Sequence, residues 1–293
     1  MQFIEYLLVI IIYESIRHVP FRYNSVLVRC LFFFTYHILG YRKKVVLENL
    51  KEIFPQRDNH SISPMVRDIY MNFSQLWVEI LQTWRLDENY IYRNFNIHHW
   101  NIVEKALEQN RGLILITGHL GNYEWAVHYC ILRLKNVLAI MKKIKNKRIN
   151  DFIVGIRELT GGKIIYTKNA LRNGIKSLTQ GKSIAIVSDQ DAGKQGIFVN
   201  FMGKAASTAT GAAIFHLKSG APMIFVCGIR KKFGQIEIHF ERIPDSKDKI
   251  INEETIKSIT QSHTAILEKW IKKYPTQYFW THRRWKTKPK AFD

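Results

Sequence analysis

Three cysteines in 293 residues, Cys30, Cys130 and Cys227, leave little room for thiol chemistry. They are odd in number, scattered, and form no C-x-x-C pair. That excludes a disulfide framework or a cysteine-based zinc site and fits small core residues in a reducing compartment. Acid is scarce too. Asp plus Glu number 24 against 44 Lys plus Arg, a formal charge of +20. Such an excess calls for an anionic partner: acidic lipid, acidic protein or nucleic acid. No apolar run reaches the roughly 20 residues that span a bilayer. The run from Phe3 to Tyr13 contains Glu5, follows no basic segment and precedes no small-residue cleavage site, so no signal peptide is expected. G-x-S-x-G and H-E-x-x-H are absent, and no other metal-ligand spacing is seen. No serine nucleophile, metal or cofactor is therefore expected.

What is present is apolar and aromatic surface at the start of the chain. Phe3 to Tyr13 and the cluster Leu31-Phe32-Phe33-Phe34 suit helices lying in a membrane interface. Seven Trp suit the same setting. Residues 1–90 are expected as an N-terminal helical, membrane-associated region. Gly40 and Pro55 close two of its helices, and Ser63-Pro64 marks the start of another, with proline at the first helical position. Ile69, Phe73, Leu76, Trp77, Ile80, Leu81 and Trp84 follow as an apolar stripe at helical spacing, expected as core.

Residues 91–293 alternate strand and helix patterns. Strands are expected at 113–117, 137–141, 163–166, 183–188 and 223–229, with one more at 235–240. Helices are expected at 99–109, 122–134, 147–160, 169–180, 207–219 and 253–274. This predicts an α/β fold with a mostly parallel sheet flanked by helices. No repeat or low-complexity linker interrupts it.

One segment carries chemistry. His119 follows the apolar run Gly112-Leu113-Ile114-Leu115-Ile116 at the carboxyl end of a strand, where open α/β sheets place their ligands. Glu124 lies five residues on. On one helix that spacing turns two side chains about 140° apart. They meet only if His119 sits in the turn, which Gly118 and Gly121 permit, and Glu124 in the first helical turn behind the N-cap candidate Asn122. An imidazole there suits a general base, with Glu124 fixing its tautomer. The backbone amides of Gly118 to Asn122 are candidate donors to an oxyanion. Asp189, which ends the strand Ile184-Ala185-Ile186-Val187, is placed to hold an acceptor hydroxyl or to pair with Arg157. Lys142, in the basic stretch Met141-Lys142-Lys143-Ile144-Lys145 through Arg148, and the pair Arg283-Arg284 are candidates for phosphate contact. Asn122, Arg157, Asp189, Lys142, Arg283 and Arg284 make up the expected substrate-binding set.

In this setting His119-x4-Glu124 resembles the H-x4-D/E acyltransferase signature, and more narrowly the late acyltransferases of lipid A biosynthesis, the lauroyl/myristoyl transferases. Three further stretches carry the resemblance in the family's order. They are Gly40-Tyr41-Arg42-Lys43-Lys44 through Asn49-Leu50 and Phe54-Pro55; Ser188-Asp189-Gln190-Asp191-Ala192-Gly193 followed by Phe198, Phe201, Met202 and Gly203; and Gln277-Tyr278-Phe279-Trp280-Thr281-His282-Arg283-Arg284-Trp285-Lys286-Thr287. The resemblance implies a glycerolipid acyltransferase-like fold and a functional arginine at Arg157. It implies acyl carrier protein as donor, an anionic lipid A precursor as acceptor, and the cytoplasmic face of the inner membrane as the place of work. Met141-Lys142 departs from the aromatic-arginine pair common in the family. Two other readings stand beside this one. The same chemistry would serve a lysophospholipid or phosphoinositide mannoside acceptor. A non-catalytic basic protein on membrane or nucleic acid would explain the charge, but it leaves His119 and Glu124 idle and lacks a nucleic-acid motif, so no nucleic-acid partner is expected.

Overall fold

The computed structural model describes residues 2–20, 23–246, 248 and 250–289. It opens with α1 (Gln2–His18), α2 (Asn24–Phe33), α3 (Lys43–Ile53), α4 (Asn59–Leu81) and α5 (Glu88–Asn94). A π-helical turn, Phe34–Ile38, extends α2. Then come β1 (Phe95–His98), α6 (Trp100–Leu107), β2 (Ile114–Thr117), α7 (Tyr123–Leu134), β3 (Val137–Met141), α8 (Lys147–Glu158), β4 (Lys163–Tyr166), α9 (Thr167–Thr179) and β5 (Ser183–Val187). The chain finishes with β6 (Ile197–Phe201), β7 (Lys204–Thr208), α10 (Gly211–Ser219), β8 (Met223–Lys232), β9 (Gln235–Arg242) and α11 (Glu253–Lys273).

Seven strands form one sheet in the order β1-β9-β8-β2-β5-β3-β4, and β6 and β7 form a separate hairpin. All neighbours in the sheet run parallel except β8 and β9. The α/β class and its mostly parallel sheet are thus as the periodicity predicts. β2 is buried at every position because helices cover both faces, so it reads as an unbroken apolar run. One core cluster joins Phe32, Val46, Leu50 and Ile62 of the N-terminal helices to Ile114, Ile116 and Phe225 of the sheet and to Leu267 and Trp270 of α11. Another packs Trp125, Tyr129 and Cys130 of α7 against Leu113, Leu115, Val226 and Phe240 on the other face.

Four details differ from the pattern-based expectation. First, α4 does not start at Ser63-Pro64. Asp58 caps it, accepting hydrogen bonds from the Ser61 amide (2.9 Å) and hydroxyl (2.8 Å), and Pro64 lies inside the helix. Second, β1 is too short for periodicity to mark it and forms by pairing with β9. Third, residues 207–208 belong to β7, in antiparallel register with β6, so α10 starts only at Gly211. Fourth, the α4 stripe is not all core. Ile69, Leu76 and Ile80 are buried, while Trp77 is 38% and Trp84 39% exposed. Among the described residues no helix is long and apolar enough to cross a membrane.

Candidate active site

β2 and β5 are parallel neighbours in the register Thr117↔Val187. His119 and Asp189 each lie two residues past the end of their strand, so they emerge side by side. His119 donates twice to the Asp189 carboxylate. Its backbone N–H reaches Oδ2 at 2.9 Å and its ring Nδ1 lies 2.6 Å from Oδ1. Asp189 is 3% exposed. Burial pushes its carboxyl up, but the His119 imidazole and the two donated hydrogen bonds outweigh burial and hold it below the usual carboxylate range. An ionised Asp189 keeps the proton on Nδ1 and leaves Nε2 as the acceptor. Nε2 faces the cleft, 3.4 Å from Nε2 of the Gln190 carboxamide.

Glu124 is therefore not the hydrogen-bonded partner of His119 that the x4 spacing suggests. Behind Asn122, it sits in the first turn of α7, and both its oxygens accept from Arg157 of α8, Oε2 from Nε (3.1 Å) and Oε1 from Nη2. Burial raises its carboxyl, and the Arg157 guanidinium more than reverses that. The expected pairing of Asp189 with Arg157 is thus exchanged: Asp189 holds the histidine and Glu124 holds the arginine. Both carboxyls are depressed in the fold. Their contribution to stability should be complete above about pH 4, the ordinary carboxylate range, and be lost as pH falls through the lower folded values. Acid titrations of wild type and Asp189→Asn, followed by circular dichroism, should show the variant with a shallower loss.

The turn itself is locked. Gly121 has φ +60°, and a Cβ there would lie 2.0 Å from the Gly228 carbonyl oxygen. The Gly121 amide donates to Gln277 O (3.0 Å), the Asn122 amide to Gly228 O (2.8 Å), and the Leu120 amide back to Gly118 O (2.7 Å). With the His119 amide on Asp189, four of the five proposed oxyanion donors, the amides of residues 119–122, are already occupied. Asn122 is fully buried. Its Oδ1 caps α7 through the Trp125 amide (2.9 Å), and its Nδ2 donates to Glu79 Oε2 (2.8 Å). Both polar ends of its side chain are thus held inside the protein, fixing the turn. Glu79 in turn pairs with Arg230, whose Nε lies 2.9 Å from Oε1 and Nη2 2.6 Å from Oε2, and both side chains are buried.

The C-terminal block closes the site from above. Phe279 donates its amide to His119 O (3.0 Å) and lays its ring 5.6 Å from the imidazole, with Tyr123 on another side at 4.7 Å. Asn49 donates to Trp280 O (2.8 Å) and His282 O (2.9 Å), and Asp191 accepts from Thr287 Oγ1 (2.9 Å). Arg284 is buried and donates to Ser207 O (2.6 Å) and Thr208 Oγ1 (2.5 Å). The paired-arginine phosphate site is thereby corrected: Arg284 braces β7, and Arg283 alone is exposed. Lys142 is exposed just past β3, at the same edge of the sheet as His119. His119 lines a narrow cleft with Ile69, Phe73 and Leu76 of α4, Tyr278 and Phe279. Burial pushes the Cys130 and Cys227 thiols up, which suits core residues and not nucleophiles. Gln190 and the α4 wall escaped sequence reasoning as site components. The signal for Gln190 was its place inside the Asp189-Gln190-Asp191 block.

An α/β chain with a carboxylate-backed imidazole at the carboxyl edge of its sheet, beside an apolar cleft, has the parts of a base-assisted group-transfer enzyme. The chain belongs to the bacterial lipid A biosynthesis acyltransferase family, whose sequence profile matches residues 1–287, and it is an O-acyltransferase. It is 23% identical over 255 residues to the lipid A biosynthesis palmitoleoyltransferase of Escherichia coli (strain K12), covering 85% of this chain and 80% of that one. It is 25% identical over 255 residues to the lipid A biosynthesis lauroyltransferase of the same organism, covering 85% and 81%. It is 20% identical over 226 residues to the phosphatidylinositol mannoside acyltransferase of Mycolicibacterium smegmatis (strain ATCC 700084 / mc(2)155), covering 75% and 72%.

Proposed function

We propose that the chain transfers a fatty acyl group from acyl carrier protein to a hydroxyl of a lipid A precursor at the cytoplasmic face of the inner membrane. The observation that carries the mechanism is the double donation from His119 to Asp189. His119 Nε2 takes the proton of the acceptor hydroxyl as its oxygen attacks the thioester carbonyl. The tetrahedral intermediate then expels the thiolate, which takes that proton back from the imidazolium. Asp189 stays ionised throughout, positioning the ring and stabilising its charge. With the amides of residues 119–122 engaged, the Gln190 carboxamide, whose Nε2 lies 3.4 Å from His119 Nε2, is the donor assigned to the oxyanion. Gln190→Ala should lower kcat about 10²-fold with little change in KM, the effect of losing one oxyanion donor. An effect on KM alone would reassign Gln190 to acceptor binding.

Glu124 and Arg157 tie α7, the helix that follows the turn, to α8. Lys142 and Arg283 offer exposed positive charge to phosphate groups or to an acidic carrier. The membrane reading rests on surface apolarity. Phe3, Ile4, Leu7, Leu8, Ile11 and Ile12 of α1 are all exposed. The same helix touches the start of α8, where the capping Asn146 donates to Glu5 (3.2 Å) and the Arg148 guanidinium lies 5.1 Å from the Phe3 ring centre. An interfacial helix beside cationic side chains suits peripheral binding to anionic lipid. Replacing Leu8 and Ile12 by Asp should release the protein from phosphatidylglycerol vesicles in co-sedimentation; unchanged pelleting would reject α1 as the membrane face. Mass spectrometry of lipid A from cells with the protein, without it, and with His119→Ala tests the function itself. The expected result is one acyl chain missing from the last two; identical lipid A in all three would overturn the proposal.

A further inference from the structure

His98 ends β1, and Glu237 and His239 lie two apart on β9, on one face of the strand. β1 and β9 pair with His98 opposite His239. Their rings stack face to face, centroids 4.3 Å apart and planes 4° from parallel. Nε2 of each imidazole is buried and has no hydrogen-bond partner. A buried nitrogen without a partner has lost its water for nothing in return, and here two lie together. The third member of the group is a carboxylate, with Glu237 Oε2 3.6 Å from His239 Nε2. Lys231 approaches the other oxygen, at 3.5 Å from Oε1. The Trp270 ring of α11 covers His239, 4.6 Å between centroids. One ligand atom from each of the three side chains lies within 4.8 Å of the others. None of the three lines the cleft at His119.

We infer that His98, Glu237 and His239 form a binding site for a divalent first-row transition ion of the zinc class. Two imidazole nitrogens and one carboxylate are a donor set such ions take, with water in a fourth position. Bond lengths near 2.0–2.2 Å place ligand atoms of a tetrahedron about 3.3 Å apart. The three groups reach that by rotating their side chains, with both strands left in register. The ion satisfies both orphaned nitrogens and cross-links β1 to β9. Because β1 lies at the sheet edge with β9 as its one neighbour, the site acts as a clamp on the edge strand. His98 is far in sequence from Glu237 and His239, which is why no ligand spacing reveals the set.

The test uses the full chain, stripped with a chelator, then titrated with Zn²⁺ and separately with Co²⁺. The expected result is one ion per chain by elemental analysis, visible Co²⁺ absorption of a tetrahedral site, and a Tm that rises with free Zn²⁺ as binding to the native state requires. His98→Gln and His239→Gln should each abolish the Co²⁺ spectrum and the Tm rise while keeping the far-UV circular dichroism of wild type. If wild type binds no ion, or the two variants bind as wild type does, the site is overturned. A variant that loses its circular dichroism is replaced by Glu237→Gln, which should weaken Zn²⁺ binding at least tenfold; unchanged affinity in that variant also overturns it.

Discussion

Asparagine at position 189 should lower kcat by about 10²–10⁴-fold, the range of a lost general base, while leaving the fold and the KM for acceptor near wild type. The side chains are nearly isosteric, so the cause is the proton. In the native site one carboxylate oxygen accepts from the His119 amide and the other faces Nδ1 at 2.6 Å. With Asp189→Asn, the carboxamide oxygen is needed by the amide, and its NH₂ then meets Nδ1. Nδ1 becomes an acceptor, the ring proton moves to Nε2, and the lone pair that should face the hydroxyl is gone. Glu124→Gln acts differently. It weakens the pair with Arg157, whose guanidinium then lacks its buried counter-charge, and leaves the His119 tautomer in place. Its loss in kcat should be the smaller of the two and be matched by a fall in Tm. Steady-state kinetics and a pH–rate profile on both variants decide between the two acids. Near-native turnover with Asp189→Asn would falsify the assignment of Asp189 as the positioning carboxylate.

The second large effect is on stability and lies away from the cleft. Glu79→Ala should destabilise the protein by about 3–5 kcal/mol, because it leaves the buried Arg230 guanidinium without a counter-charge. In a chain of this size that is a fall in Tm on the order of 10 °C. Glu79 also accepts from Asn122 and from the Gly234 amide at 3.0 Å. Its loss therefore frees the cap of α7 as well as the end of β8. Replacing both partners with methionine should recover much of the loss, since a well-packed apolar pair is often no worse than a buried ion pair. Thermal and urea unfolding measure both. A Tm for Glu79→Ala within about 2 °C of wild type would remove the pair from any part in stability. Activity in the double variant should stay below wild type even where stability returns, because Asn122 still lacks an acceptor and the turn carrying His119 is less fixed.

The division between sequence and fold can be read in individual residues. Strand β2 is an apolar run bounded by Gly112 and Gly118, so local pattern places His119 at a strand end with no knowledge of its neighbours. The helices after it carry their own caps, such as Asn122 for α7 and Asn146 for α8. The amphipathic α11 is legible for the same reason: its buried Ile259, Leu267, Trp270 and Ile271 repeat at helical spacing. β1 and the β6–β7 hairpin were not legible. Their formation depends on partners distant in sequence or on a short hairpin without a strong alternation. The same holds for Arg284, which reads as half of an exposed basic pair and is in fact buried against β7.

Sequence by itself determined that a histidine would stand at the carboxyl end of a strand with a carboxylate one helical turn beyond it, because strand and cap signals are local and extend over a few residues. Only the tertiary structure decided which acid serves that histidine. The sheet order puts β5 beside β2, bringing Asp189 to the imidazole, and α8 carries Arg157 to Glu124. Spacing along the chain cannot rank two carboxylates that are equally able to accept a proton donor; strand adjacency can, because hydrogen bonds act over about 3 Å and the strand order sets which groups come that close.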